Sequence, residues 1–298
     1  MGAILGVVPN FSEGRRRDVI DAIVGALGVE GARVVFAEAD PDHQRLDTTV
    51  LGTAEAVHRS AIAGAAVAID RIDMFEHRGG HPRMGAVDVV PFMPVRGVEM
   101  AACVDLARAV GRELAETLAV PVYLYGEAAV TPERRSLADV RKGEFEGLRA
   151  AVAAGERLPD FGPHEIGRAG ATAVGARKPL VAFNTYLSGT DEQAAKDIAR
   201  GIRESAGGLP AVRAIGFAVP DRGCVTVSMN LVDFEVTGVR TAFDAVVAEA
   251  SARDMEVLDS EIVGLAPAAA LPPGTGEHVR LAGFSPDEQI LEELVATG

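Results

Sequence analysis

Cysteine is scarce, with only Cys103 and Cys224 in a chain of 298 residues. They lie far apart in sequence and in apolar surroundings, which predicts two buried free thiols and a reducing, cytosolic setting. Basic residues are also few: 29 Lys and Arg stand against 43 Asp and Glu, a formal net charge of −14. Binding duplex nucleic acid needs clustered cations to neutralise phosphate, so no nucleic-acid partner is expected. An anion can be held only in a local pocket of Arg, Lys or backbone N–H groups. Long apolar runs are missing as well. The longest, 61–69, is too short for a bilayer, so no membrane association is expected. Residues 1–10 are an uncharged, strand-like run that meets Pro9 before any cleavage pattern, so no signal peptide is expected and the location expected is cytoplasmic.

Patterned catalytic signatures are absent. There is no GxSxG, no CxxC, no Walker lysine loop and no HExxH, and no GxGxxG follows the first strand. Those absences argue against a nucleophilic enzyme, a zinc protease and a bound nucleotide cofactor. What remains is ordinary globular composition, 48% hydrophobic and 24% charged, in a chain long enough for two domains.

Alternation and helical periodicity predict strands at 3–8, 34–38, 47–51, 88–93 and 120–125, with helices at 15–27, 53–66 and 100–118. The pattern restarts after Lys178. Strands are expected at 180–186, 212–217, 225–230 and 261–265, and helices at 191–204 and 238–252. The fold class expected is α/β (α+β), with two similar subdomains, 1–177 and 178–298. Each is a βαββαβ split-βαβ sheet covered by helices. The Gly-rich stretch 160–175, with Pro163, reads as a linker or as a ligand-binding loop. Ser285-Pro286-Asp287-Glu288 reads as a capping box opening a last helix.

The densest polar cluster is Glu76-His77-Arg78-Gly79-Gly80-His81-Pro82-Arg83-Met84-Gly85. Its glycines and Pro82 forbid the helix that would aim His77 and His81 at one metal, so no metal is expected. Histidine titrates near neutrality, and a loop set on a rigid sheet is a normal place for catalysis. His81 is therefore the candidate proton-transfer residue, with Arg83 able to stabilise charge or hold a carboxylate. Asp40-Pro41-Asp42-His43-Gln44-Arg45 reads first as a solvated turn, with Asp40 and Arg45 as lesser candidates for substrate contact. Arg177-Lys178 are adjacent cations: surface charge, or a carboxylate site. A histidine base beside arginines, without a nucleophile, fits direct group transfer between two small molecules.

Several blocks carry a resemblance along nearly the whole chain. They are Val8-Pro9-Asn10-Phe11-Ser12-Glu13-Gly14, His81-Pro82-Arg83-Met84-Gly85, Asp88-Val89-Val90-Pro91-Phe92, Tyr123-Leu124-Tyr125-Gly126-Glu127-Ala128 and Asn230-Leu231-Val232-Asp233-Phe234-Glu235-Val236-Thr237. Together they resemble glutamate formimidoyltransferase, the formiminotransferase domain of the formiminotransferase-cyclodeaminase family, in its stand-alone form. The resemblance implies transfer of a formimino group from N-formimidoylglutamate to tetrahydrofolate, with the folate as co-substrate, in histidine degradation and one-carbon metabolism. It implies His81 as catalyst and a substrate groove between the subdomains. It also implies a folate-contacting loop after Asp160-Phe161, made of Gly162, Pro163, His164, Glu165, Ile166, Gly167, Arg168, Ala169 and Gly170. A homodimer and a separate cyclodeaminase are the implied partners. Two departures stand out: the folate loop is one residue shorter, and Asn184-Thr185-Tyr186-Leu187 replaces the family's Asn-x-Asn-Leu. Tyr186 and Asn184 are therefore candidate donor-selecting positions. The alternatives are formimino or formyl transfer involving another amino acid or folate form, and a non-catalytic folate-binding module.

Overall fold

The computed structural model describes residues 2–296. The chain divides into two compact units, Met1–Arg177 and Lys178–Gly298. No helix among the described residues is long and apolar enough to cross a membrane.

The first unit opens with β1 (Ile4–Val7) and β2 (Asn10–Phe11), one strand line broken at Val8-Pro9, followed by α1 (Arg17–Leu27). Then come β3 (Ala32–Asp40), β4 (Arg45–Gly52), α2 (Ala54–Arg71), β5 (Val87–Arg96), α3 (Met100–Leu118) and β6 (Val122–Gly126). The short α4 (Leu137–Val140), α5 (Glu144–Ala153) and β7 (Thr172–Ala176) complete it. The seven strands form one sheet, in which β3 pairs β4, β4 pairs β1 and β2, and these pair β5. Those pairings are antiparallel, whereas β7 lies parallel between β5 and β6.

Each helix follows from its apolar stripe. In α3, Cys103, Ala107, Val110 and Leu114 are buried at spacings of three and four, so one face meets the sheet. Thr53 caps α2 by accepting the Ala56 amide at 3.3 Å, a contact worth about 1 kcal/mol. Phe11, Ile23, Leu27, Phe92, Leu114 and Leu124 fill the core.

The second unit runs β8 (Val181–Leu187), α6 (Glu192–Ile202), β9 (Val212–Val219), β10 (Cys224–Leu231), α7 (Val239–Ser251) and β11 (Val257–Val263). Its sheet has the order β11-β8-β10-β9, every neighbour antiparallel. Val181, Phe183 and Leu187 join a core with Ile198, Ile202, Val246 and Phe243 from the two helices. Period-two alternation then turns Asn184 and Tyr186 to the opposite face.

Four sequence expectations change. Residues 160–175 are not simply a linker, because Thr172–Ala176 is an inner strand, buried at every position. Small residues covered on both faces lack the alternation that marks a strand. The segment between β6 and the Gly-rich stretch holds α4 and α5, which the sequence reading passed over. The last strand begins at Val257, earlier than expected. The capping box is half made: the Ser285 side chain makes no cap bond to Pro286–Gln289, and Gln289 Oε1 accepts the Ser285 amide at 3.0 Å.

Candidate active site

The site of the first unit begins with a buried acid. Asp88 lies at the start of β5 and is fully buried. Its Oδ2 accepts from Arg45 Nη1 at 2.8 Å and also pairs with Arg141 at the end of α4; its Oδ1 accepts the Met84 amide at 3.0 Å. Burial alone would raise the carboxyl, but Arg141 and Arg45 outweigh it and hold Asp88 below the usual carboxylate range. Arg45 is buried too, and its Nε donates to Asp47 at 2.8 Å. Asp47 also accepts from Asn10 of β2. Asn10 Oδ1 and Arg141 Nε are buried without a hydrogen-bond partner. Native proteins rarely leave such atoms unmatched.

His81 is half-buried beside this cluster. Burial, then the cations of Arg45 and Arg141, push its imidazole down to about 4, so it is neutral at physiological pH. Its Nδ1 lies 2.7 Å from the Pro82 carbonyl. A carbonyl only accepts, so Nδ1 carries the proton and Nε2 keeps a free lone pair. The result is a neutral imidazole with Nε2 open as an acceptor.

Sequence places Arg83 two residues after His81, but its side chain is engaged elsewhere. It is buried, donates to Glu144 at 2.8 Å and to both oxygens of Glu146 at 2.8 and 2.7 Å, and gives its Nε to His77 Nδ1 at 3.2 Å. Protein carboxylates therefore occupy the fork expected to hold a substrate carboxylate. His77 donates from Nε2 to the Gln44 carbonyl at 3.1 Å, so both its nitrogens are satisfied internally.

The loop 162–170 meets the His81 loop through backbone. The Ala86 amide donates to Ala169 O at 2.8 Å, and the Ala171 amide to Met84 O at 2.9 Å. Gly85 is required there, since a Cβ at this position would lie 2.2 Å from the Ala171 carbonyl. Gly162, Pro163, His164, Glu165 and Gly167 are exposed along this loop, while Ile166 packs into the core and Gly170 is buried. Arg168 is exposed but turned to the Asp70 carbonyl at 2.9 Å. The block around Asn10 braces the same loop: Ser12 Oγ donates to Gly85 O at 2.8 Å.

Asp40 is not a free acid. It caps its own turn, accepting the amides of Asp42 and His43 at 2.8 and 2.9 Å, and its Oδ2 lies 2.5 Å from His43 Nδ1. Asn184 and Tyr186 belong to the second unit. Tyr186 donates its hydroxyl to Glu261 at 2.6 Å, and the Arg222 guanidinium lies 3.9 Å above its ring.

Asp88, Arg141, Asn10 and Asp47 were missed as site residues. The usable signal was Asp88, an acid opening an otherwise apolar strand. Arg141 has no comparable local mark.

Two family descriptions match the chain: the formiminotransferase domain, N-terminal subdomain, over residues 4–177, and the formiminotransferase domain over residues 182–295. The chain is 39% identical over 294 residues to the glutamate formimidoyltransferase of Streptococcus pyogenes serotype M1, spanning 98% of each. It is 40% identical over 293 residues to that of Thermoplasma acidophilum, spanning 97% of this chain and 96% of the other. It is also 42% identical over 327 residues to the formimidoyltransferase-cyclodeaminase of Mus musculus, matching 99% of this chain and 60% of that protein. The chain thus covers about 60% of the length of its cyclodeaminase-bearing relative.

Proposed function

The chain belongs to the formiminotransferase family, and we propose that it moves a formimino group from N-formimidoyl-L-glutamate to tetrahydrofolate. The products are glutamate and 5-formimidoyltetrahydrofolate, in histidine degradation and one-carbon metabolism. The observation that carries this reading is the neutral His81, with Nε2 bare, beside Arg45 and Arg141. In the reaction N5 of the folate attacks the formimino carbon, and His81 removes the N5 proton once the new C–N bond has formed. Arg141, tied to Asp88 and with its Nε unpartnered, offers a donor for a carboxylate of the substrate. Holding both substrates against one loop pair supplies the proximity that a two-substrate transfer needs. The exposed residues 162–165, tied to the His81 loop through Ala169, are the proposed folate contact.

The test is a donor panel read by mass spectrometry of the folate product. Formimidoylglutamate with tetrahydrofolate should give the formimino adduct, without added metal and unaffected by EDTA. Folate binding without turnover on any donor would favour a storage module instead. In the same protein, His81→Ala should lower kcat by roughly two to four decades while folate binding survives.

A second reading, transfer to or from a different amino acid or folate form, draws support from Tyr186, the ring that departs from the Asn-x-Asn-Leu pattern of the resemblance. A homodimer is the proposed assembly, to be checked by light scattering, and a separate cyclodeaminase is the proposed consumer of the product.

A further inference from the structure

The turn between β3 and β4 carries a second histidine that sequence distance hides from His81. The two rings stand edge to face, with centroids 6.3 Å apart and planes at 84°. They come this close because the turn presses on the Gly79-Gly80 backbone: a Cβ on Gly79 would lie 2.3 Å from the His43 carbonyl, and the Gly80 amide donates to Asp42 O at 3.2 Å. The turn is held in its own right. Asp40 fixes it through two backbone amides and grips His43 Nδ1 with its other oxygen at 2.5 Å.

The two imidazoles have opposite surroundings. His81, kept neutral by burial and then by Arg45 and Arg141, gives its Nδ1 proton to a carbonyl, so that Nε2 is left as an acceptor. His43 is hydrogen-bonded through Nδ1 to the Asp40 carboxylate, which fixes the orientation of the ring and leaves Nε2 as its other nitrogen. Two imidazoles held by different partners, a carbonyl for His81 and a carboxylate for His43, can divide acid and base roles between them. A ring nitrogen reaches about 3 Å by hydrogen bond, so one small tetrahedral centre can touch both rings.

We propose that His43, oriented by Asp40, is a second catalytic residue: the general acid for the departing amine, working opposite His81. This rests on the formimino-transfer reading. The donor enters as an amidinium, its formimino carbon double-bonded to a terminal nitrogen and single-bonded to the NH–R of the amino acid. Attack by N5 forms the N5–C bond and shifts the C=N electron pair onto the terminal nitrogen. His81 then takes the proton from the now cationic N5, leaving a neutral tetrahedral centre. As the C–NHR bond breaks, its electron pair goes to the leaving nitrogen, which accepts a proton from His43 Nε2. The terminal amino group re-forms C=N, giving the N5 amidinium and the free primary amine of the amino acid. One proton has passed onto His81 and one has left His43, and exchange between the rings or with solvent resets the site.

The experiment compares wild type with His43→Ala and His43→Gln on N-formimidoyl-L-glutamate and tetrahydrofolate, with and without added imidazole. Glutamine keeps a donor toward Asp40 but cannot act as an acid, so it guards against loss through the turn itself. Both variants should lose roughly 100-fold or more in kcat, with either KM within about threefold. Imidazole should restore His43→Ala about tenfold or better, an effect that a purely structural role cannot produce. An active wild type with His43→Ala within about threefold of it, or a loss that imidazole does not touch, overturns the role of His43 alone. An inactive wild type overturns the transfer reading and this role with it.

Discussion

Arg45 and Asp88 lie 43 positions apart in sequence and meet at 2.8 Å with both side chains buried. Arg141 closes on the same carboxylate oxygen. The acid is thus the one fixed point to which two cations from different elements are tied. Taking one partner out of such a buried set leaves charge without compensation, typically about 3–5 kcal/mol.

Asp88→Asn should therefore destabilise the protein by about 3–5 kcal/mol, since two arginines lose their common anion. Urea unfolding monitored by circular dichroism checks this. An unchanged midpoint would mean that the arginines are held by something other than Asp88.

The electrostatics of His81 can be tested without an assay. Its imidazole is held at about 4 by burial first and by Arg45 and Arg141 next. A neighbouring cation disfavours the protonated ring, so Arg141→Gln should raise the value towards the ordinary 6.5. Histidine ring resonances followed by NMR from pH 3 to 8 give the answer directly. No upward movement would assign the depression to burial and Arg45.

How much of this was legible in sequence depended on whether a residue's neighbours were local. The helix 100–118 was legible to its ends because Cys103, Ala107, Val110 and Leu114 repeat with the turn. His81 stood out because glycines, arginines and histidines crowd one short loop. The ties around it are long-range. Asp88, Arg45 and Arg141 carry no shared periodicity, and His43 read as turn chemistry because its ring partner is 38 positions away. Arg83 was misjudged for the same reason: its carboxylates sit on α5, and the sequence reading had no helix there.

That Arg83 pairing has its own signature. Arg83 holds Glu146 down to about 2 from an ordinary 4.5. A depressed carboxylate stabilises the fold fully above its unfolded value, and the gain is lost as pH falls through the folded one. Glu146→Gln should remove the part of the acid-side decline that lies between about pH 4.5 and 2. The Glu146 side chain is 61% exposed, so the effect should be small and shrink in high salt. Urea midpoints against pH at low and high salt measure it; identical slopes for the two proteins would leave the pair without energetic weight.

Tyr186 is the proposed donor-selecting position. It does not belong to the helix-facing core, for it shares the other face of β8 with Asn184. It is nevertheless well covered, by Arg222 above the ring and by Glu261 at the hydroxyl. Burial, and next the Glu261 carboxylate, raise the phenol above its ordinary value, so it stays protonated and remains a donor. Two substitutions separate its possible roles. Tyr186→Phe keeps the ring and removes only the donor to Glu261, which should cost about 1–3 kcal/mol if nothing replaces it. Tyr186→Asn restores a small amide beside Asn184 and opens the volume of the ring. We expect it to raise kcat/KM on formimidoylglutamate relative to formimidoylglycine and formimidoylaspartate, because a polar partner of the right length decides between donors that differ by a methylene or two. The ratio of efficiencies, taken with the melting temperature, is the measurement. A lower melting temperature with an unchanged ratio would make Tyr186 a packing residue, stapling β8 to β11 through Glu261, and would leave donor choice to the arginines around Asp88.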